Sequence, residues 1–345
     1  MNSLDQHQGL DQLRSSLSRR GLGRILALVT ALLGGAGGAV AFAQIAGGVE
    51  QPVVIAVEGT DSVLYRGTTF DLSKLAKDPN PTTSVNTAFL PSTSVADIRS
   101  WNGQPAKGIW SYQVIMALPF RSNPQPGQFI ADMDSGGFFH CAWQILSADG
   151  KYVGTLYDSG TSPGPDHIII GGGGAYRGTT GVHGMMEFPT AQRGASTSED
   201  PANRRINGGG KFRVVFTLYP KSRPTVITTP NGPAVVHGDG KLVSSSNPAQ
   251  AGETLILYAT GLGPTTPPVT SGQPFPQGAA STANAPIEVL VNGKSSSVLY
   301  AGGYPGSIDG YQVNFRLPAA LSPGSASLQL IAAWIPGPEI TIATK

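Results

Sequence analysis

Cysteine is almost missing from this chain: Cys141 is the only one in 345 residues. No intramolecular disulfide can form, and no cysteine-based zinc cluster can be assembled. Charged residues make up only 13% of the chain, against 46 Gly and 28 Pro. That balance favours short strands joined by tight turns over helices. The histidines show no His-x-x-x-His spacing, so no metalloprotease helix is encoded. No cofactor and no metal is expected on these grounds. Long apolar runs are lacking too. Ile25 to Leu33 is apolar and Gly34 to Val40 continues with small residues, short of the ~20 strongly hydrophobic residues that span a bilayer. A permanent membrane anchor is not expected.

What the amino terminus does contain is an export leader. A polar stretch ends in Ser18-Arg19-Arg20-Gly21-Leu22-Gly23-Arg24, the apolar run follows, and Ala41-Phe42-Ala43 supplies the small-x-small pattern of a cleavage site. Residues 1–43 are expected to be a signal peptide of a bacterial protein, cleaved near Ala43 and sending the remainder to the periplasm or beyond. The paired arginines resemble a twin-arginine signal. Four of the 23 basic residues (Arg14, Arg19, Arg20, Arg24) and two of the 21 acidic ones (Asp5, Asp11) precede that point, leaving 19 of each. The net charge of +2 therefore belongs to the leader. The remainder is neutral and has no basic stripe for a phosphate backbone, which argues against nucleic acid as a partner.

The remainder is long enough for two domains. Two short strands are expected between Pro52 and Phe70, then a Pro-, Ser-, Thr- and Asn-rich loop over 71–108 with a short helix near Leu72 to Lys77. Strands follow at Trp110 to Leu118, Gln128 to Met133, Gly137 to Leu146, Tyr152 to Tyr157, His167 to Ile170, Gly184 to Phe188 and Lys211 to Tyr219. Asp149-Gly150 is a hairpin signal because both residues tolerate positive φ. Many strands in succession favour antiparallel neighbours, and closure into a barrel would remove exposed edges. Residues 223–233, spaced by prolines, read as a stiff linker. Beyond it, strands at Ala234 to His237, Thr254 to Thr260, Ile287 to Val291, Val298 to Ala301, Gln312 to Leu317, Ser327 to Ala333 and Glu339 to Ile342, with an Asn292-Gly293 turn, suit an immunoglobulin-like β-sandwich over 234–345. The fold class is all-β: a barrel domain within 44–222, then the sandwich.

Ile168-Ile169-Ile170-Gly171-Gly172-Gly173-Gly174-Ala175-Tyr176-Arg177-Gly178-Thr179-Thr180-Gly181 resembles the signature of allene oxide cyclase and dirigent-protein barrels, with Gly173 where a threonine or serine is usual. The resemblance extends over about 110–220 and implies an antiparallel eight-stranded barrel enclosing a small cavity. Pro233-Ala234-Val235-Val236-His237, Asn247-Pro248-Ala249, Gly252-Glu253, Tyr258 to Pro264, Gly272-Gln273-Pro274 and Gly310 to Asn314 look like a Solibacter-type C-terminal domain, over about 230–335. That family carries no established biochemistry.

The glycine run could be offered as a phosphate cradle, but no Gly-Lys-Ser/Thr follows it and Gly184 to Phe188 reads as a strand where a helix is needed. Gly171, Gly172, Gly174 and Gly178 are instead expected to shape a sharp inter-strand turn. Asp132, Asp134 and His140 could set two carboxylates and an imidazole together; the competing reading has the aspartates capping a turn at Asp134 to Gly137 and His140 as an ordinary hydrogen-bonded residue. Cys141 reads as a small buried hydrophobe, and Arg204-Arg205 with Glu199 and Asp200 as a surface loop whose charges balance locally. In a closed barrel alternate residues point inward, so the lining is either Phe138, His140 and Gln144 or Phe139, Trp143 and Ile145. The first set is taken as the ligand-binding candidate. The cyclase resemblance implies a barrel carboxylate that assists ring closure, for which Glu187 and Asp158 stand as candidates beside His140.

Three functions remain open: a barrel that binds a small apolar or aromatic molecule, with the sandwich mediating attachment to cell envelope or polysaccharide; a cofactor-independent isomerase or cyclase; and a purely structural or adhesive surface protein. Replacing Arg19 and Arg20 together by lysine is expected to block export, measured as loss of the protein from the periplasmic fraction; unchanged secretion would assign the leader to the general secretory route.

Overall fold

A computed structural model describes residues 51–66, 88–118, 136–162, 167–184 and 186–345. The segments expected as a helix near Leu72 to Lys77 and as a strand at Gln128 to Met133 lie outside the described residues, as do Asp132 and Asp134. Residues 50–345 form one compact unit, and among the described residues no helix is long and apolar enough to cross a membrane.

Ten strands build the first half: β1 (Val53–Arg66), β2 (Ala88–Trp101), β3 (Gln104–Leu118), β4 (Gly136–Leu146), β5 (Tyr152–Ser162), β6 (His167–Gly174), β7 (Thr180–His183), β8 (Glu187–Thr190), β9 (Arg193–Ser196) and β10 (Gly210–Tyr219). Strands β1 to β7 pair in order with antiparallel neighbours, β10 pairs with β7, and β10 also pairs with β1. The eight strands thus close into an antiparallel barrel. Strand β8 adds to β10, and β9 lies parallel to β1. The described part of the expected loop over 71–108 is not a loop: Ala88–Trp101 and Gln104–Leu118 are a long hairpin. Its turn is Asn102-Gly103, with φ of 51° and 74°, the left-handed geometry that a two-residue hairpin demands.

Closure fixes parity. On β4, Cys141, Trp143 and Ile145 are buried while His140 and Gln144 are exposed, so the inward set is the one containing Trp143 and Ile145. An eight-stranded barrel is just wide enough for side chains to fill, and here Trp101, Trp143, Phe212, Phe216, Ile55, Leu156 and Leu218 are fully buried. Their rings interlock: Trp110 stacks on Trp143 at 5.5 Å between centroids, Trp143 meets Phe216 edge-on at 5.0 Å, and Trp101 stacks on Phe216 at 5.6 Å. Half of the barrel is a packed aromatic core.

The glycine run is strand rather than turn, since Gly171 to Gly174 complete β6. The turn is Ala175 to Gly178, bracketed by Gly174 and Gly178 at φ of 62° and 72°. Gly172 is needed for close approach: a Cβ there would sit 2.3 Å from the Tyr176 carbonyl oxygen. That approach lets Tyr176, fully buried, fold back over the barrel end.

The second half is sandwich-like. One sheet contains Thr254–Thr260, Tyr311–Arg316 and Val298–Gly303; the other contains Ile287–Val291, Gly324–Ala332 and Ile335–Thr344. Alternate residues such as Leu255, Leu257, Val313, Phe315, Leu328 and Leu330 fill the space between them. The segment expected as a linker is part of this structure: Thr225–Val226 pairs with Ala259 and Thr260, and Thr228–Thr229 pairs with Gly232–Pro233. Its Val226 is buried in the sandwich core, which gives a proline-spaced segment a fixed place.

The two halves share a core. The turn Ala333-Trp334, both residues at positive φ, carries Trp334 against Trp101 at 6.2 Å between centroids, and its indole N–H donates to Gln104 Oε1 at 2.9 Å. The Tyr176 hydroxyl donates to the Ala333 carbonyl at 3.2 Å, and Asn284 Nδ2 donates to the Tyr152 carbonyl at 2.9 Å.

The charges of the 190–210 excursion do not all balance locally. Glu199 pairs with Arg193, but Arg204 and Arg205 both reach Asp97 on β2: Arg204 Nη2 donates to Oδ1, and Arg205 Nε donates to Oδ2 at 2.6 Å. Burial opposes the charge on Asp97, yet the hydrogen bonds from Arg205 and Arg204 outweigh it and hold the carboxyl below its usual range. Asp97→Asn leaves the buried Arg204 guanidinium without a counter-charge, and is expected to cost about 3 kcal/mol at pH 7. Because the folded-state pKa is depressed, that advantage is full above about pH 4 and shrinks as pH falls through the folded value. Urea unfolding of both proteins at neutral and strongly acidic pH measures it.

Candidate functional site

Two register pairs on four consecutive strands bring the chemistry together. Cys141 on β4 lies opposite Asp158 on β5, and His167 on β6 lies opposite His183 on β7. Regular alternation along β5 puts Asp158 inward with Leu156 while Tyr157 faces out; opposite them β6 carries one extra residue, Ile170, between the partners of Tyr157 and Asp158. Asp158 is then wholly enclosed. His167 Nδ1 lies 2.9 Å from its Oδ1, the Trp143 indole N–H donates to its Oδ2 at 2.6 Å, and His183 Nε2 stands 3.3 Å from Oδ1.

These contacts define protonation. Burial works against the Asp158 carboxylate, but the hydrogen bond from His167, the nearby His183 and the Trp143 N–H together hold it well below the usual carboxylate range. An ionised carboxylate only accepts, so His167 donates through Nδ1. Among the described residues its Nε2 has no hydrogen-bond partner, and 16% of its side chain is exposed. His183 Nδ1 lies 2.7 Å from the Gly184 carbonyl oxygen, which also only accepts; Nδ1 therefore carries a proton. The Nε2 of His183, though near Asp158, is not aligned for a hydrogen bond and is buried without one. Burial, reinforced by the neighbouring Asp158 charge, pushes the Cys141 thiol far up, so the free side chain stays protonated.

A stack of rings leads to this cluster. Trp110 stacks on Tyr112 at 5.6 Å, Tyr112 on Phe139 at 5.3 Å and Phe139 on His167 at 5.1 Å, with the His167 and His183 rings 4.5 Å apart. The site joins an aromatic wall to a carboxylate–imidazole pair. It can bind a planar or apolar molecule, move a proton through His167 Nε2, or hold a cation, since ligand atoms of Cys141, Asp158 and His167 all lie within 4.8 Å of one another.

Of the catalytic and ligand-binding candidates named from sequence, Asp158 alone sits in this cluster; Cys141, read there as a small buried hydrophobe, lies beside it. His140 and Gln144 point away from the barrel interior and do not line it. Phe138 is in β4, but its side chain lies outside the described residues. Glu187 is exposed on β8, with Arg213 Nη1 3.7 Å away. Cys141, His167 and His183 carried no local signal, because their partners come from neighbouring strands. A separate groove of ≈ 470 Å³ is lined by residues including Ala175, Arg177, Gly263, Ser271, Asp309 and Tyr311. There Arg177 donates to Ser271 Oγ at 3.2 Å and the Tyr311 hydroxyl to the Gly263 carbonyl at 2.6 Å, so its polar groups serve loop packing.

No protein-family model and no curated protein matches the chain. Among solved structures, the chain is matched to the N-terminal domain of the Streptococcus gordonii adhesin Sgo0707 at 9% identity, over 85% of this chain and 92% of that one, with a TM-score of 0.17. A superposition that loose carries no argument about fold or function.

Trp143→Phe removes the only indole donor to Asp158 Oδ2 and is expected to lower stability by about 2–3 kcal/mol, as for a hydrogen bond to a buried charge. His140→Ala, at an exposed position on the same strand, is expected to change it by less than about 0.5 kcal/mol. Paired urea titrations of the two variants measure the contrast.

Proposed function

We propose that the chain is an exported bacterial protein whose barrel binds a small aromatic or apolar molecule at the end walled by Tyr112, Phe139 and His167. The sandwich holds the other barrel end and supplies the attachment surface. The observation that carries this reading is the ionised, enclosed Asp158 with its two imidazoles inside an otherwise aromatic core. Burying such a group costs several kcal/mol before its partners compensate, and apolar side chains of similar volume commonly serve stability as well or better. A polar cluster placed where packing does not need it points to a ligand. The stacked rings supply the apolar contact, and His167, with its outward Nε2, supplies the polar handle. The packed half of the barrel confines binding to this end. The leader with Arg19-Arg20 and Ala41-Phe42-Ala43 supports export, and the allene oxide cyclase and dirigent resemblance supports a small organic ligand.

The second reading is a cofactor-independent isomerase or cyclase, favoured by one feature: Asp158 fixes the Nδ1–H form of His167 and leaves Nε2 as the base.

Trp110 and Trp143 lie within the ring stack, so their fluorescence reports occupancy. Titration of the full chain with a panel of phenols and long-chain fatty acids is expected to give saturable quenching, lost in Asp158→Leu/His167→Phe/His183→Leu. That variant is expected to unfold within about 1 kcal/mol of the parent or above it. A panel without quenching, together with a variant that is several kcal/mol less stable, would make the cluster a structural device and leave the adhesive reading standing.

A further inference from the structure

We propose that Cys141, Asp158, His167 and His183 form a binding site for one zinc-like divalent transition-metal ion. This goes beyond the organic ligand, and neither requires the other.

Ligands about 2.0–2.3 Å from zinc stand roughly 3.3–3.7 Å apart at a tetrahedral angle. Here His167 Nδ1 and Asp158 Oδ1 are 2.9 Å apart, His183 Nε2 and Asp158 Oδ1 3.3 Å, and Cys141 Sγ and His167 Nδ1 4.0 Å. Cys141, Asp158 and His167 hold donor atoms within 4.8 Å of one another; His183 Nε2 reaches Asp158 but lies outside that group, so its ring must swing toward the other donors to complete a four-coordinate shell. The donor types agree with the ion: one sulfur, two imidazole nitrogens and one carboxylate oxygen.

The independent observation is His183. Its side chain is 4% exposed, and its Nε2 is buried with no hydrogen-bond partner. The Gly184 carbonyl takes the Nδ1 proton, which leaves the Nε2 lone pair directed at the cluster in the neutral ring. A bare lone pair facing a carboxylate is unfavourable, so either a proton or a metal ion stands between them, and the poor alignment of Nε2 with Oδ1 for a hydrogen bond favours the metal. The surrounding bonds also match those that orient metal ligands: a backbone carbonyl on the far nitrogen of a histidine, and the Trp143 N–H on the non-ligating carboxylate oxygen.

The charges and protons balance. On binding, the Cys141 S–H bond breaks and its proton leaves to solvent, while His167 exchanges its Nδ1 proton for one on Nε2. A divalent ion with one thiolate, one carboxylate and two neutral imidazoles is then net neutral, which suits a site enclosed by aromatic rings. His167 Nε2–H remains at the exposed edge as a donor.

Because Cys141 is the only cysteine in the chain, a thiolate–metal signal has one source. The chelator-stripped full chain is titrated with cobalt(II), then zinc(II). The expected result is one cobalt per chain, intense four-coordinate d–d bands and a thiolate-to-cobalt charge-transfer band, all removed by one equivalent of zinc. Cys141→Ser abolishes the charge-transfer band, and both it and His183→Gln weaken zinc binding at least tenfold, whereas His237→Gln in the sandwich leaves binding unchanged. Absence of the band in the unaltered protein at saturating cobalt overturns the proposal, and that arm needs no variant to fold. Zinc retention that survives both Cys141→Ser and His183→Gln overturns it as well. The phenol and fatty-acid titrations are run on metal-free and zinc-loaded protein, so failure of either reading is seen separately.

Discussion

The pairing of β1 with β10, Val53 opposite Leu218 through Ser62 opposite Gly210, closes the barrel, and closure decides the inward side of every strand. An open sheet with the same strands could bury either face. Once closed, a strand has one inside, set by the bulk that fits there: Trp143 and Ile145 go in, His140 and Gln144 go out. The side-chain period of two then carries Cys141 inward with Trp143, and cross-strand register places Asp158 beside it. The buried cluster is thus a consequence of closure and of regular alternation along β5, which turns Asp158 to the same side as Leu156.

That consequence has an electrostatic cost, and the surroundings are organised to offset it. The Asp158 carboxylate receives hydrogen bonds on both oxygens, from His167 and from Trp143. The same Trp143 ring packs edge-on against Phe216 and stacks on Trp110. One side chain therefore couples the aromatic core to the charge, so the core cannot repack without disturbing Asp158. Asp97 shows the contrasting solution outside the barrel: a buried carboxylate held by arginines, whose role is to clip the 201–207 segment onto β2. Arginine partners are permanently charged and present no lone pair, whereas imidazole partners do. The difference in partner chemistry is why one cluster reads as a clip and the other as a site.

The all-β class, the antiparallel barrel and most strand positions were legible in the sequence because local signals carry them. Asp149-Gly150 and Asn292-Gly293 mark turns through residues that tolerate positive φ, and β10 alternates buried and exposed residues along its length. Asn102-Gly103 is an equally clear turn signal, but the Ser- and Thr-rich segment before it obscured the strand: Ser94 and Asp97 are buried there with Ala96 and Ile98, so polarity no longer tracks exposure. The site was far less legible. Asp158 could be named as a carboxylate on a strand, yet its partners at 141, 167 and 183 are joined only by register, and no fixed spacing encodes register. The parity of β4 was undecidable locally, since Phe138 and Phe139 offer equal bulk to either face.

The two ends of the barrel divide the work. Along β4 the inward residues run Ile145, Trp143, Cys141 and then Phe139, from the end that meets the sandwich toward the other. At the first end a hairpin tip plugs the barrel with Trp334, although Ala333 and Trp334 at φ of 51° and 61° each carry about 1–2 kcal/mol of left-handed strain. Burial of the indole against Trp101 and its hydrogen bond to Gln104 offset that strain. A plugged end admits no ligand and also stiffens the strands that leave it. Stiffness is what the far end requires, because side chains brought together from four separate strands stay together only if the strands do not shear. The sandwich thereby acts on the cluster at a distance, by fixing the register that creates it.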